Sequence, residues 1–506
     1  MTRLKRYEHY WLASGICVMS VAALCAVGCG GGSRSSIGSG GGTTTQVVTK
    51  EWTWVGGSDQ ANSTLTLHGS YGTEGVASAS NEPPGRFSPV TWIDRSGNFW
   101  MFGGEGNDPQ FTNGPYNDLW EYSPSTKEWT WMSGSSTVPG NQMAVYGTEG
   151  TASAGNVPGG RTESVSWMDG SGNFWLFGGA GFDANGSNGT LNDLWEYSPS
   201  TKEWTWMGGS SIEDQAGSHG TLGVAASTNI PGARSSAVSW TDPSGNFWLF
   251  GGDLYVPNSS SNLFNDLWKY SPSTREWTWM GGSMNSNAVG VYGTEGTAAT
   301  GNVPGARDYA VSWTDGSGNL WLFGGFGVVS MGGGADLNDL WEFNPSTNQW
   351  TWVSGSNTVN VVTGKACVSG VYGTEGTAGT ANVPGGRNGA NGWMDASGNL
   401  WLFGGLGCDM NGTQGSLNDL WEYSPASKSW TWQSGSNSVV ATQSETGGAS
   451  GVYGTMGTAA ATNTPGGHSS SATWTDSSGT FWLFGGVGHD ATGMRGELND
   501  LWSYTP

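Results

Sequence analysis

Apolar and polar positions along this chain mark short strands. Residues 164–169 (SVSWMD) alternate small or polar side chains with apolar ones, the period of a half-buried strand. Residues 170–173 (GSGN) follow as a tight turn, and 174–177 (FWLF) form a fully apolar strand ended by a Gly pair. Residues 193–197 (DLWEY) alternate again, 198–202 (SPSTK) turn, and 203–207 (EWTWM) make a fourth strand. The short connections imply antiparallel pairing. Four such strands make one blade of a β-propeller.

The unit recurs. Asn-Asp-Leu-Trp begins at Asn117, Asn192, Asn265, Asn338, Asn418 and Asn499. Phe-Gly-Gly begins at Phe102, Phe177, Phe250, Phe323, Phe403 and Phe484, and Trp-Thr-Trp at Trp52, Trp129, Trp204, Trp277, Trp350 and Trp430. The last unit stops after its third strand, and the spare Trp-Thr-Trp lies at the other end. The expected fold is therefore all-β: a six-bladed propeller of four-stranded blades, with residues 51–54 completing the last blade. Internal repetition on this scale is the signature of such architectures.

Spacing adds detail. From the Arg or His opening each first strand to the Phe of Phe-Gly-Gly is 16 positions in every unit, and a segment typified by Tyr146…Arg161 spans 15. Length varies only between the last Trp of Trp-Thr-Trp and that Tyr, over gaps of 17, 15, 13, 13, 20 and 21 positions. The fixed insert is expected to be ordered. With the loop after Phe-Gly-Gly it is expected to decorate one face, where binding residues would sit on loops held by a rigid scaffold.

The Gly pair closing the second strand (Gly178-Gly179), followed by Tyr197 and Trp204 with six residues between them, resembles the kelch repeat. All six units carry the Gly pair. The first five carry the aromatic pair, with Phe343 replacing Tyr in the fourth. The resemblance covers residues 51–506 and implies a kelch-like propeller of the type found at the centre of galactose oxidase. Fold alone carries no function.

Composition changes the picture in two ways. The chain has 88 Gly and 31 Trp in 506 residues. Trp11 falls in the N-terminal apolar run, and the other 30 fall five per unit, as Trp92, Trp100, Trp120, Trp129 and Trp131 do in the first. Such regularity points to packing between blades rather than to sugar stacking. The formal charge of −22 argues against nucleic acid.

Arg3, Lys5 and Arg6 followed by an apolar run to Gly28 form an export signal, residues 1–28. Ala26-Val27-Gly28-Cys29 is similar to a bacterial lipobox, with Ala26 where Leu is usual. The resemblance implies a lipid on Cys29 and a Gly/Ser/Thr-rich tether over residues 29–50. Conventional cleavage and an uncleaved anchor remain the alternatives. A lipid anchor places the protein on the cell envelope, as a monomer held to the membrane.

Candidate chemistry is sparse. Cys367 and Cys408 are expected to form a disulfide; two free thiols are the alternative. Copper would need a convergent set, and His68, His219, His468 and His489 offer none with a third ligand. Asp183-Ala-Asn185-Gly and Asp409-Met-Asn411-Gly are oxygen-rich turns open to Ca²⁺ or to a purely conformational role. Arg86, Arg161, Arg234, Arg307 and Arg387, with His468 in the sixth unit, make either a cationic ring for a ligand or structural pairs with the Asp of Asn-Asp-Leu-Trp. The expected function is non-enzymatic binding of an envelope protein or glycan. The alternatives are a carbohydrate-active or oxidoreductase enzyme at the channel mouth, and a structural surface protein. No cofactor is expected.

Overall fold

The computed structural model describes residues 50–61, 68–107, 113–137, 142–255, 262–328, 334–359, 367–439 and 447–506. The export signal, Cys29 and the tether up to residue 49 lie outside the described residues. The described residues are all-β, without helices, and the architecture is that of a β-propeller.

Six sheets of four antiparallel main strands follow one another along the described chain. In the second, Val165–Met168, Phe174–Phe182, Asn188–Ser198 and Glu203–Gly208 pair in chain order. Trp167 stands opposite Trp175, Leu176 opposite Trp195, and Tyr197 opposite Trp204. In the last sheet the fourth place is taken by Trp52–Gly56, which pairs antiparallel with Arg495–Tyr504, Trp52 opposite Tyr504.

The tryptophans hold sheet to sheet. Trp92 of the first sheet stacks on Phe174 of the second at 5.1 Å, and its indole N–H donates to the Trp167 carbonyl at 2.9 Å. Trp92, Trp100 and Phe102 form one buried cluster with Leu176, Trp195, Tyr197 and Trp204. The sixth such cluster joins Phe99, Trp120 and Trp129 of the first sheet to Trp474, Trp482 and Phe484 of the last. A buried aromatic removes roughly 150–250 Å² from water, worth about 4–6 kcal/mol before entropy is counted.

Three local readings change. The Gly pair does not simply end the second strand. In the second and sixth sheets the strand runs through it with a shift of register, and in all six the chain turns there into a hairpin above the sheet. Gly103 and Gly104 have φ of 70° and 88°, and a Cβ on Gly103 would lie 2.5 Å from the Arg161 carbonyl oxygen, so only Gly fits. The Arg does not open the inner strand either. Arg86–Phe87 pairs with the hairpin strand Glu105–Asn107, and the inner strand Val90–Ile93 begins after a left-handed bend at Ser88.

The fixed-length insert is ordered, as its spacing implied, but it lies along the outer strand of its own sheet rather than on a face. The Gly75 N–H donates to the Trp131 carbonyl at 2.7 Å, and the Asn81 side-chain amide donates to the Trp129 carbonyl at 3.0 Å. The outer edge is thereby covered, which blunts edge-to-edge association.

Candidate functional site

Each sheet contains one buried carboxylate hub, and the sequence-selected cations belong to it. Arg86 Nη1 and Nη2 donate to the two carboxylate oxygens of Asp118 at 2.6 and 2.7 Å. Tyr71 Oη and Trp120 Nε1 donate to Asp118 Oδ2 at 2.7 and 2.8 Å. Two further Arg86 donors reach the Pro84 and Gly103 carbonyls at 3.2 and 2.8 Å. Four of five guanidinium donors are thus committed. Arg161–Asp193, Arg234–Asp266, Arg307–Asp339 and Arg387–Asp419 repeat the pairing, each buried to within 1% of complete. The arginines form no open cationic ring; their charges are neutralised inside the sheets. Burial would push the Asp266 carboxyl up, but Arg234, His219 and Trp268 outweigh it and hold the group well below the usual range.

Two sheets depart from the pattern. His219 replaces the Tyr in the third, its Nε2 3.2 Å from Asp266 Oδ2. His468 replaces the Arg in the sixth, with Nδ1 2.7 Å from the Gly466 carbonyl and Nε2 3.4 Å from Asp500 Oδ1. Burial would lower the His468 pKa, but the Asp500 carboxylate and its hydrogen bond carry it above the ordinary histidine value. These two histidines are structural partners of carboxylates. Among the described residues, no three His, Cys, Asp or Glu side chains gather as a metal-binding group.

The mouth of the central channel is built from positions that sequence reasoning passed over. Two residues beyond each Arg or His stand Ser88, Glu163, Ser236, Tyr309, Gly389 and Ser470, all with φ between 50° and 60°. The left-handed bend turns each peptide toward its neighbour. Glu163 N–H donates to the Ser88 carbonyl, Ser236 to Glu163, Tyr309 to Ser236, Gly389 to Tyr309, Ser470 to Gly389, and Ser88 to Ser470, all at 2.7–3.0 Å. The chain of donations passes through all six sheets and returns to its start. One tier below, Ser166 Oγ donates to the Thr91 carbonyl at 3.2 Å and Ser239 Oγ to the Ser166 carbonyl at 3.1 Å.

A cavity of about 250 Å³ is lined by the residues of this cycle and, one tier in, by Val311, Ser312 and Thr473 of the inner strands. The Tyr309 hydroxyl donates to the Glu163 carboxylate, a bar between the second and fourth sheets. Glu163 and Tyr309 are half-buried and occur once each at a position held by Ser or Gly in the other four sheets. The available signal was this variation within an otherwise constant frame. It was easily missed because the position is flanked by other variable residues.

The hairpins above the sheets carry the remaining candidates. Asp183 Oδ1 accepts the N–H groups of Asn185 and Ser187, both at 2.8 Å. Asp409 Oδ1 accepts from Asn411 and Thr413, and its Oδ2 from Val439 N–H at 2.9 Å. These carboxylates shape turns and tie the hairpin to the elastic segment. Cys367 and Cys408 are joined as a disulfide with Cα atoms 6.0 Å apart.

Two carboxylates bridge neighbouring hairpins. Asp336 accepts from the Asn388 and Gln414 amides at 2.7 and 2.8 Å, and Glu497 accepts from the Asn107 backbone and side-chain N–H groups at 3.1 and 2.7 Å. Burial pushes both up to about 7 against the pull of those hydrogen bonds.

No family model and no curated protein matches the chain. A solved structure described as "Structure of YjhT" is similar over 83% of this chain and 95% of that one, at 14% identity and a TM-score of 0.46. At that level the likeness bears on neither ligand nor chemistry.

Proposed function

We propose that the chain is a six-bladed kelch-like propeller whose N-terminal strand completes the last blade, and that it serves as a non-enzymatic interaction module. Lipid on Cys29 would hold it to a bacterial envelope, and the hairpin-bearing face would meet a protein or glycan partner. The six-member hydrogen-bond cycle and the pairing of Trp52–Gly56 with Arg495–Tyr504 support the blade count and the closure. The single observation carrying the functional reading is the Glu163–Tyr309 pair. It breaks the repeat at the channel mouth, whereas the arginines that keep the repeat are buried in structural pairs.

The test is a binding screen of the protein against envelope proteins and glycans. Variants shortening the two longest elastic segments (354–371 and 434–452) and the double variant Glu163→Gln/Tyr309→Phe are run beside it. A partner whose binding falls in these variants supports the reading. Binding indifferent to all of them places the contact elsewhere and refutes the assignment of the face.

A further inference from the structure

The mouth has a definite chemical bias. Its lining includes one carboxylate, Glu163, one phenol, Tyr309, and the hydroxyls of Ser88, Ser236, Ser470 and Ser471, with no Lys, Arg or His among the described residues that line it. In the hydrogen-bond cycle the carbonyls of Ser236, Gly389 and Ser470 each take one N–H and keep a second lone pair, whereas the Ser88 carbonyl also takes the Thr162 hydroxyl at 3.3 Å. Ser236 stands between Glu163 and Tyr309 in that cycle and is only 8% exposed, and its hydroxyl has no hydrogen-bond partner. The Ser471 hydroxyl is likewise buried and unpartnered. Buried polar groups without partners are uncommon and ask for a reason. The wider field has the same sign, because the chain carries a net −22 while its nearest arginines are neutralised by their own aspartates.

We propose that this mouth recognises a primary ammonium group, that of a lysine side chain presented by a protein partner. The proposal rests on the mouth being the contact surface. An ammonium is compact, brings three donors and no acceptor, and so matches a rim of oxygens around one carboxylate. Glu163 would supply the counter-charge, positioned by the Tyr309 hydroxyl. The Ser236 hydroxyl and the carbonyls of Ser236, Gly389 and Ser470 would take the remaining donors. A quaternary ammonium brings no donor, and an anion meets no cation here. Negative potential over a concave mouth also speeds the encounter with a basic partner.

The test titrates the full-length protein with Nα-acetyl-lysine methylamide and with n-butylamine at pH 7. Nα-acetyl-norleucine methylamide and n-butanol serve as uncharged counterparts, and saturation-transfer NMR follows binding. Both amines are expected to bind and both uncharged probes to fail. Glu163→Gln is expected to weaken amine binding about ten-fold or more, as loss of a charged hydrogen-bond partner does. Tyr309→Phe and Ser236→Ala should each weaken it by a few-fold, with an unchanged melting temperature as the folding control; they carry the test if Glu163→Gln fails to fold. Equal binding of the norleucine derivative, or a folded Glu163→Gln that binds amines as before, overturns the proposal. So does binding of butylamine without the lysine derivative, because the site would then read free amines. A protein partner that depends on the elastic segments yet ignores Glu163→Gln would remove this inference and leave the interaction-module reading intact.

Discussion

Replacing His468 by Arg should restore in the sixth sheet the pairing present in the other five, and its effect should depend on pH. In the wild type, Asp500 Oδ2 is met by Tyr453 Oη and Trp502 Nε1, both at 2.7 Å, while among the described residues the only cation within reach is His468 Nε2, 3.4 Å from Oδ1. The pair is completely buried. His468 titrates above the ordinary histidine value in the folded protein. Its stabilising contribution is therefore complete below about pH 6.5, the unfolded value, and fades as pH rises through the folded one.

Removing one member of a buried pair costs roughly 3–5 kcal/mol, and a neutral His468 keeps one hydrogen bond, so about 2–3 kcal/mol separates variant from wild type at high pH. Unfolding entropy of about 2.1 cal/mol/K per residue makes a cooperative unit of roughly 450 residues shift by about one degree per kcal/mol. Scanning calorimetry should find wild type and His468→Arg within error at pH 5.5, and the variant 2–3 °C higher at pH 9, by about the same conversion. Every other titrating group cancels in that difference. A constant difference from pH 5.5 to 9, or a variant less stable at pH 9, would refute the hub as the source of stability.

Two further outcomes are expected. Deleting residues 50–56 uncovers the Arg495–Tyr504 edge, so the melting temperature should fall sharply and light scattering should rise; an unchanged melt contradicts closure through that strand. Asp336 and Glu497 are pushed up to about 7, so the stability they confer is complete below about pH 4 and lost as pH climbs through 7. Amide hydrogen exchange around residues 334–336 and 495–497, corrected for intrinsic rates, should accelerate between pH 6 and 8. Asp336→Asn with Glu497→Gln should flatten that rise, and a profile unaltered by the pair of changes would show that the acceleration has another source.

Much of this was legible in the residues themselves. Repeated phrases at constant spacing gave the sheets. The 32 positions separating Arg86 from Asp118 recur from His468 to Asp500, so a structural pair could be named before any coordinate. Direction was less legible. A constant length does not say which edge an insert follows, and the hydrogen bonds of Asn81 and its equivalents to the outer strand decided that. Least legible was the mouth. Glu163 and Tyr309 are 146 positions apart and meet only because a left-handed bend in each sheet turns them toward one axis. Side-chain type and periodicity carry no trace of that bend when Ser, Glu and Tyr occupy it.

The pairing of Trp52 with Tyr504 also sets an order of events. Among the described strands, the first to leave the ribosome is the one whose partner, Arg495–Tyr504, comes last, so it waits through the synthesis of the strands between them with its ladder unfilled. Such a chain completes its sixth sheet only once Arg495–Tyr504 is free, and a premature stop upstream of that strand leaves Trp52–Gly56 without its partner. Drawing one sheet from the first and last described strands makes the wholeness of that sheet a late event in synthesis.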